Sequence, residues 1–225
     1  MLTLLTSENI ARFLFGLLTS LQLAFVLVVV GGVLGVVLAG LRSLPIRPVQ
    51  WFVSLFVLYH RNVPLLVQIL FWYFAMPQLF PAPILRFVND HNPEFLLAGA
   101  ALSFAFGAYV SEDLRSGFRA LPKVQYEASR AIGLSFLQSF VYILLPQAVR
   151  NSMPALINQL LLFFKGTSLA SVVGVAELTH VASDLNSSTL LTFETFFVAT
   201  VLYLFISLLI MGAGSFVSRR MAMRT

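Results

Sequence analysis

The chain has no cysteine, and among its 225 residues only 14 are Lys or Arg and 9 are Asp or Glu. Without thiols there are no disulfides and no thiolate metal sites, and the redox compartment stays open. No GxxxxGK(S/T) phosphate loop occurs, since Lys165-Gly166-Thr167-Ser168 lacks the preceding glycine spacing. Any ATP that drives this protein is therefore expected on another chain. The three histidines, His60, His91 and His180, are scattered with no carboxylate at metal-ligand spacing, and read as surface or packing residues. No nucleophile, base and orienter stand together, so neither a catalytic site nor a cofactor is expected. The N-terminus has no basic start, and Glu8 precedes an apolar run far longer than the core of a secretory signal, so no such signal is read.

What is present is apolar length. The composition is 59% hydrophobic, with a mean hydropathy of +0.90, values of a polytopic membrane protein rather than a soluble domain. Runs such as LQLAFVLVVVGGVLGVVLAGL are uncharged and non-alternating. They fit helices that cross about 30 Å of hydrocarbon, not barrel strands. An all-α membrane protein with five transmembrane helices is expected, at about 13–41, 51–76, 95–114, 146–173 and 194–217, in one permeating domain over 1–225. Gly31 and Gly35 stand at GxxxG spacing in the first span, which allows close helix packing.

Charge placement sets the orientation. With five spans, Arg42, Arg47, Arg115, Arg119, Lys123, Arg130, Arg150, Arg219, Arg220 and Arg224 share one side. The other side keeps Arg12 and Arg86 but most acids: Glu8, Asp90, Glu94, Glu177, Asp184 and Glu194. The positive-inside rule puts the basic set in the cytoplasm, with the N-terminus periplasmic and the C-terminus cytoplasmic. Basic loops so placed require no nucleic acid.

That segregation decides how to read YEASRAIGLSFLQSFVYILLPQAVRNSMP, from Tyr126 to Pro154. Residues 131–149 are uncharged, yet a sixth span there moves the C-terminal basic tail outside. The stretch is therefore expected as a cytoplasmic loop, 122–145. Gln125 to Ile132 favours a helix that ends at Gly133. Ser135 with Gln138 makes a capping-box start for a second helix, and Pro146 suits the first turn of the span that follows.

The spacing of Glu127, Ala128, Ser129, Gly133, Ile143, Leu145 and Pro146 resembles the EAA signature of ABC importer membrane permeases, EAA–G–IxLP, with serine at the second alanine. HRNVPLLVQILFWYFAMPQLFP, AYVSEDLRSGFRALPKVQYEAS, FKGTSLASVVGVAELT and TFETFFVATVLYLFISL are similar to segments of the polar amino-acid permeases, above all the glutamate/aspartate type. The resemblance covers most of the chain from Gly16 onward. It departs from the family pattern at Gly166, where a polar or acidic residue is usual, and at Val124, where glycine is usual.

The resemblance implies a type I importer (MetI-like) permease of a bacterial inner membrane, non-catalytic itself. Its implied partners are two ATP-binding subunits carrying ATP and Mg, a periplasmic amino-acid-binding protein and a second permease. A heterodimer is expected and a homodimer is the alternative. The loop around Glu127–Pro146 is then the coupling element seated in a groove of the ATPase. Cargo is expected to be glutamate or aspartate, with glutamine, histidine or arginine as alternatives. A membrane scaffold or ATP-independent channel subunit is the rival of another class.

Candidate pathway residues are polar groups inside spans. Arg61 lies ten residues beyond Trp51, about 15 Å deep at 1.5 Å per residue. A charge at that depth marks a pathway or a pairing, here with an acid such as Glu112. Pro64 follows, and a broken helix there frees backbone groups to line a cavity. Lys165 and Gly166 suggest a second break, with Lys165 on the path or reaching to an interface. Asn62, Gln68, Asn158, Thr167 and Ser168 complete the set, and Asn62, Gln68, Asn158 and Gln159 either line a path or merely join helices. The aromatics Phe71 to Phe74 read as an interfacial belt.

Overall fold

Uncharged runs of this length become helices because lipid offers backbone groups no other partner. The computed structural model describes Leu4 and residues 6–222; Arg224 lies outside the described residues. Every regular element among them is helical. α1 is the run Ser7–Ser43, started by Thr6, whose side chain accepts from the Asn9 backbone N–H at 3.2 Å. A single π-turn interrupts it at Leu27–Gly31. α2 (Arg47–Asn62) and α3 (Leu65–Phe74) follow. They meet at 107° across Val63–Pro64, so the break expected at the proline is present. A short α4 (Ala82–Asp90) leads to α5 (Pro93–Arg119). α6 (Lys123–Ala131) and the long run α7 (Phe136–Val173) come next. α8 (Leu178–Thr189) and α9 (Thr192–Ala222) complete the chain. Among the described residues four helices are long and apolar enough to cross a membrane, and there are five if the bent α2–α3 pair is counted as one span.

α5 is the axis of the bundle and packs against α1, α2, α3 and α7. Two-thirds of its apolar window (67%) is buried, against 6% for α9, which turns Leu204, Phe205, Leu208 and Leu209 outward. In lipid the tails are as apolar as leucine, so burial by itself draws no two helices together and close packing must do so. α5 supplies that with Ala98, Ala101, Ala105, Gly107 and Ala108. The close approach anticipated from the glycine spacing is made here. A Cβ on Gly31 would stand 2.5 Å from the Ser103 carbonyl oxygen, and one on Gly35 2.6 Å from Val110.

One expected boundary is absent. Pro146 starts no new helix after a separate cytoplasmic one; the chain is helical without interruption from Phe136 to Val173. A π-turn at Ser139–Leu144 leads straight into the α-helix that begins at Leu145. The wider turn lets a proline follow without its missing N–H breaking the helix. Gln147 reinforces it by donating its side-chain amide to the Ile143 carbonyl at 2.8 Å. The Lys165–Gly166 break is milder than that at Pro64: α-helix gives way at Gly166 to a 3-10 turn, Thr167–Val173.

Candidate functional site

Breaking a helix orphans carbonyls, and the α2–α3 corner is held by the residue that answers them. Gln68 is buried and donates its amide to the carbonyls of Val63 (2.8 Å) and His60 (3.0 Å). With the amide nitrogen so committed, its oxygen accepts from His60 Nδ1 at 2.6 Å, which places the ring proton on that nitrogen. His60 itself is buried among aromatic rings, stacked near Phe104 and tilted on Phe56 at 4.4 Å. It is a packing histidine. Trp72 also stacks on Phe104, at 5.0 Å, so part of the expected interfacial belt packs inward.

Two cavities flank this corner. The first, about 370 Å³, is lined by His60, Gln68, Tyr109, Phe163, Lys165 and Ser168. The second, about 420 Å³, is lined by Arg42, Ser54, Arg61, Asn62, Tyr109 and Glu112. Arg61, Asn62, Gln68, Glu112, Lys165 and Ser168 are thus gathered onto cavity walls by the fold. Asn158 and Pro64 are exposed and line neither cavity. Thr167 is fully buried, its hydroxyl donating to the Phe164 carbonyl at 2.7 Å.

The pairing anticipated between Arg61 and Glu112 does not form. Glu112 accepts from Arg42 at 2.7 Å and from Arg115 at 3.1 Å, which satisfies both carboxylate oxygens. Arg42 reaches it from the far end of α1, because the close α1–α5 packing brings those helices' ends together. Arg61 instead lies over the face of Tyr109, 5.3 Å from the ring centroid. Its charge also acts on Asp113, a half-buried carboxylate beside Gln159.

At one end of the bundle, α6 and the first turns of α7 form a rigid corner. Gly133 has φ +86°, where a side chain is strained. The Leu134 N–H donates to Ser129 O at 3.2 Å and the Gly133 N–H to Arg130 O at 3.0 Å, the two bonds of a Schellman motif. Ser135 and Gln138 then form the reciprocal capping box, at 2.8 and 3.2 Å. Glu127, Ala128 and Ala131 are exposed, while Ser129 is buried and donates its hydroxyl to Tyr126 O at 2.7 Å. Ile143 and Leu145 are half-buried and Pro146 is exposed, so the apolar end of the motif anchors this corner on the bundle. Beside it, between the Ser43–Pro45 turn and residues such as Tyr126, Arg130 and Phe136, lies a cleft of about 960 Å³.

Two residues were not singled out by sequence reasoning. Tyr109 lines both cavities. Glu177, grouped only among the outward acids, is fully buried between α1, α8 and α9. It caps α8 by accepting from the His180 N–H at 2.8 Å, and accepts from Tyr203 Oη at 2.7 Å and Ser20 Oγ at 3.2 Å. Burial pushes its carboxyl up, opposed by these hydrogen bonds. The one sequence signal was an acid immediately before a helical run.

Residues 31–223 match the family described as "Binding-protein-dependent transport system inner membrane component". The chain is 32% identical over 216 residues to the arginine transport system permease protein ArtQ of Bacillus subtilis (strain 168), covering 96% of this chain and 95% of that one. It is also 32% identical over 207 residues, 92% of each chain, to the glutamate/aspartate import permease protein GltK of Escherichia coli O157:H7. Among solved structures, an amino acid ABC transporter crystallised with histidines superposes with a TM-score of 0.80 at 30% identity, over 95% of both chains. With a family match across most of its length and relatives at this identity end to end, the chain belongs to the inner membrane components of binding-protein-dependent transport systems.

Proposed function

We propose that this chain is the permease subunit of a bacterial ATP-driven ABC importer for polar amino acids, with glutamate and aspartate as its cargo. The observation that carries the coupling role is the α6–Gly133–α7 corner. It presents an exposed acid and small side chains on a helix closed at its C-terminal end by a Schellman turn, a shape suited to a groove on another protein. Two ATP-binding subunits, with their ATP and Mg, close beneath it, and the corner transmits that closure to the bundle through the unbroken α7. Glu127, Ala128 and Gly133 form the docking face, buried Ser129 braces it from behind, and Ile143, Leu145 and Pro146 are its root. The chain itself hydrolyses nothing.

The basic ends of α1, α5 and α9 face the cytoplasm in this reading, and the N-terminus faces the periplasm, with crossings at about 13–41, 51–76, 95–114, 146–173 and 194–217. A periplasmic binding protein delivers substrate. The two cavities lie along the substrate path, walled by Arg61, Asn62, Gln68, Glu112, Lys165 and Ser168. Arg61 and Lys165 are cations on those walls that form no ion pair within 4 Å among the described residues, although the Asp113 charge acts on Arg61, and this suits a cargo with two carboxylates. One chain of this size does not enclose a pathway alone, so a second permease completes it, a different chain being favoured over a second copy.

Relatives named for arginine and for glutamine keep a second reading in view, another polar amino acid through the same architecture. Competition for uptake in a deletion strain complemented with this chain separates the two. Aspartate is expected to displace glutamate while arginine and glutamine do not; failure of aspartate to compete overturns the acidic cargo. Copurification without any ATP-binding subunit, together with transport indifferent to ATP, overturns the importer role.

A further inference from the structure

The two cavities beside the α2–α3 corner share one lining side chain. Tyr109 borders the cavity that holds Lys165 and Ser168, and it also borders the cavity that holds Arg42, Arg61 and Asn62. Its ring packs against the buried core of the bundle and makes two further face and edge contacts. Arg61 lies over one face at 5.3 Å, and the Phe163 ring meets it edge-on with centroids 5.5 Å apart. The phenol hydroxyl makes no hydrogen bond among the described residues. Arg61 is the more movable of its two contacts, being exposed and free of any ion pair, whereas Phe163 is buried in the core.

We infer that Tyr109 is the septum between an outer and an inner compartment of the substrate path, and that Arg61 is its latch. A guanidinium bound by a carboxylate makes paired, charge-assisted hydrogen bonds, which are stronger than its attraction to a ring face. Arg61 stands on the wall of the inner cavity, so it braces the closed ring from within; a cargo carboxylate meets it once past the ring and draws it off, so that the ring stays open until the cargo has left. Glu112 does not compete for Arg61, because Arg42 and Arg115 already occupy it, and Asp113 acts on Arg61 through its charge without forming an ion pair. The latch role rests on the proposed pathway.

The test uses the assembled importer, with its ATP-binding subunits, in liposomes preloaded with radiolabelled glutamate, glutamine and arginine. In the absence of nucleotide, Tyr109→Ala is expected to release whichever amino acid the wild type takes up, several-fold faster than wild type. Tyr109→Phe keeps the ring and is expected to match wild type. Arg61→Gln is expected to leak at an intermediate rate and Arg61→Lys to restore tightness. Wild-type uptake on the same vesicles tests the cargo separately, so an arginine-selective importer overturns the acidic assignment and leaves the septum standing. A fully assembled Tyr109→Ala importer that is as tight as wild type overturns the septum. Should that variant fail to assemble, Tyr109→Cys decides, because the chain has no other cysteine. A water-soluble thiol reagent is expected to label it and stop uptake; a Cys that stays unlabelled with and without ATP overturns the proposal.

Discussion

Gln68 and His60 are joined twice across a broken helix: the glutamine amide donates to the histidine carbonyl at 3.0 Å and accepts from its ring Nδ1 at 2.6 Å. A third bond, to the Val63 carbonyl at 2.8 Å, holds the last residue before Pro64. The corner that shapes both cavities is therefore a built feature, with its orphaned backbone groups answered by one buried side chain.

Gln68→Leu keeps the volume and removes all three bonds. Each buried group left without a partner costs about 1–3 kcal/mol, so the purified complex is expected to unfold at lower temperature. Thermal denaturation of the two proteins side by side measures this. An unchanged melting temperature means the corner is held by packing alone.

Gly133→Ala places a side chain at φ +86°, a conformation that costs an L-residue about 1–2 kcal/mol. Nothing stands within 4 Å of a Cβ there, so the whole effect is conformational strain. Membrane insertion is expected to survive while the ATP-binding subunits copurify less well and uptake per ATP falls. Glu127→Lys, exposed and unstrained, is expected to weaken the same association by charge alone. Normal uptake in both variants removes the docking role.

Arg61 and Arg42 are expected to behave differently although both line the same cavity. Arg42→Ala leaves Glu112 half-buried with Arg115 alone, and a broken buried pair is strongly destabilising. The amount of protein in the membrane is expected to fall. Arg61→Ala breaks no ion pair and is expected to leave that amount unchanged while uptake drops. Quantitative membrane blots with uptake on the same cells distinguish them.

Glu177 gives a pH signature. Burial raises its carboxyl pKa in the folded protein, so the native state holds that proton more tightly than the unfolded chain does. Its contribution is fully present below the unfolded-state pKa and is lost as pH rises through the raised, folded one. Glu177→Gln carries no proton to lose, and its stability is expected to stay flat across that window. Melting temperatures of the two proteins over a pH series check this; parallel curves assign the slope to another group.

Much of the architecture was legible because it is local. Gly133, Ser135 and Gln138 announce a turn and a cap within a few residues, and Pro64 announces a break in whichever helix contains it. The glycine pair at positions 31 and 35 was legible as a packing surface but not as a contact with Ser103 and Val110, since spacing names a face and not its partner. Pro146 does stand in the first turn of an α-helix, as its missing N–H favours, but only the structure shows the π-turn that joins that helix to the preceding one without a gap. Gln68 was marked for a pathway and also serves as the clamp of the corner.

By itself the sequence determined the class of the protein, the break at Pro64 and the cap-and-turn corner at Gly133. Hydropathy, charge segregation and backbone stereochemistry act over a turn or a span and need no partner to be read. Tertiary structure decided which cation meets which acid. Arg42 is 70 residues from Glu112 and reaches it only because glycine and alanine let α1 and α5 approach closely. The same packing leaves Arg61 over Tyr109 and buries Glu177 beneath Tyr203, because in a bundle side-chain partners are set by which helix faces touch.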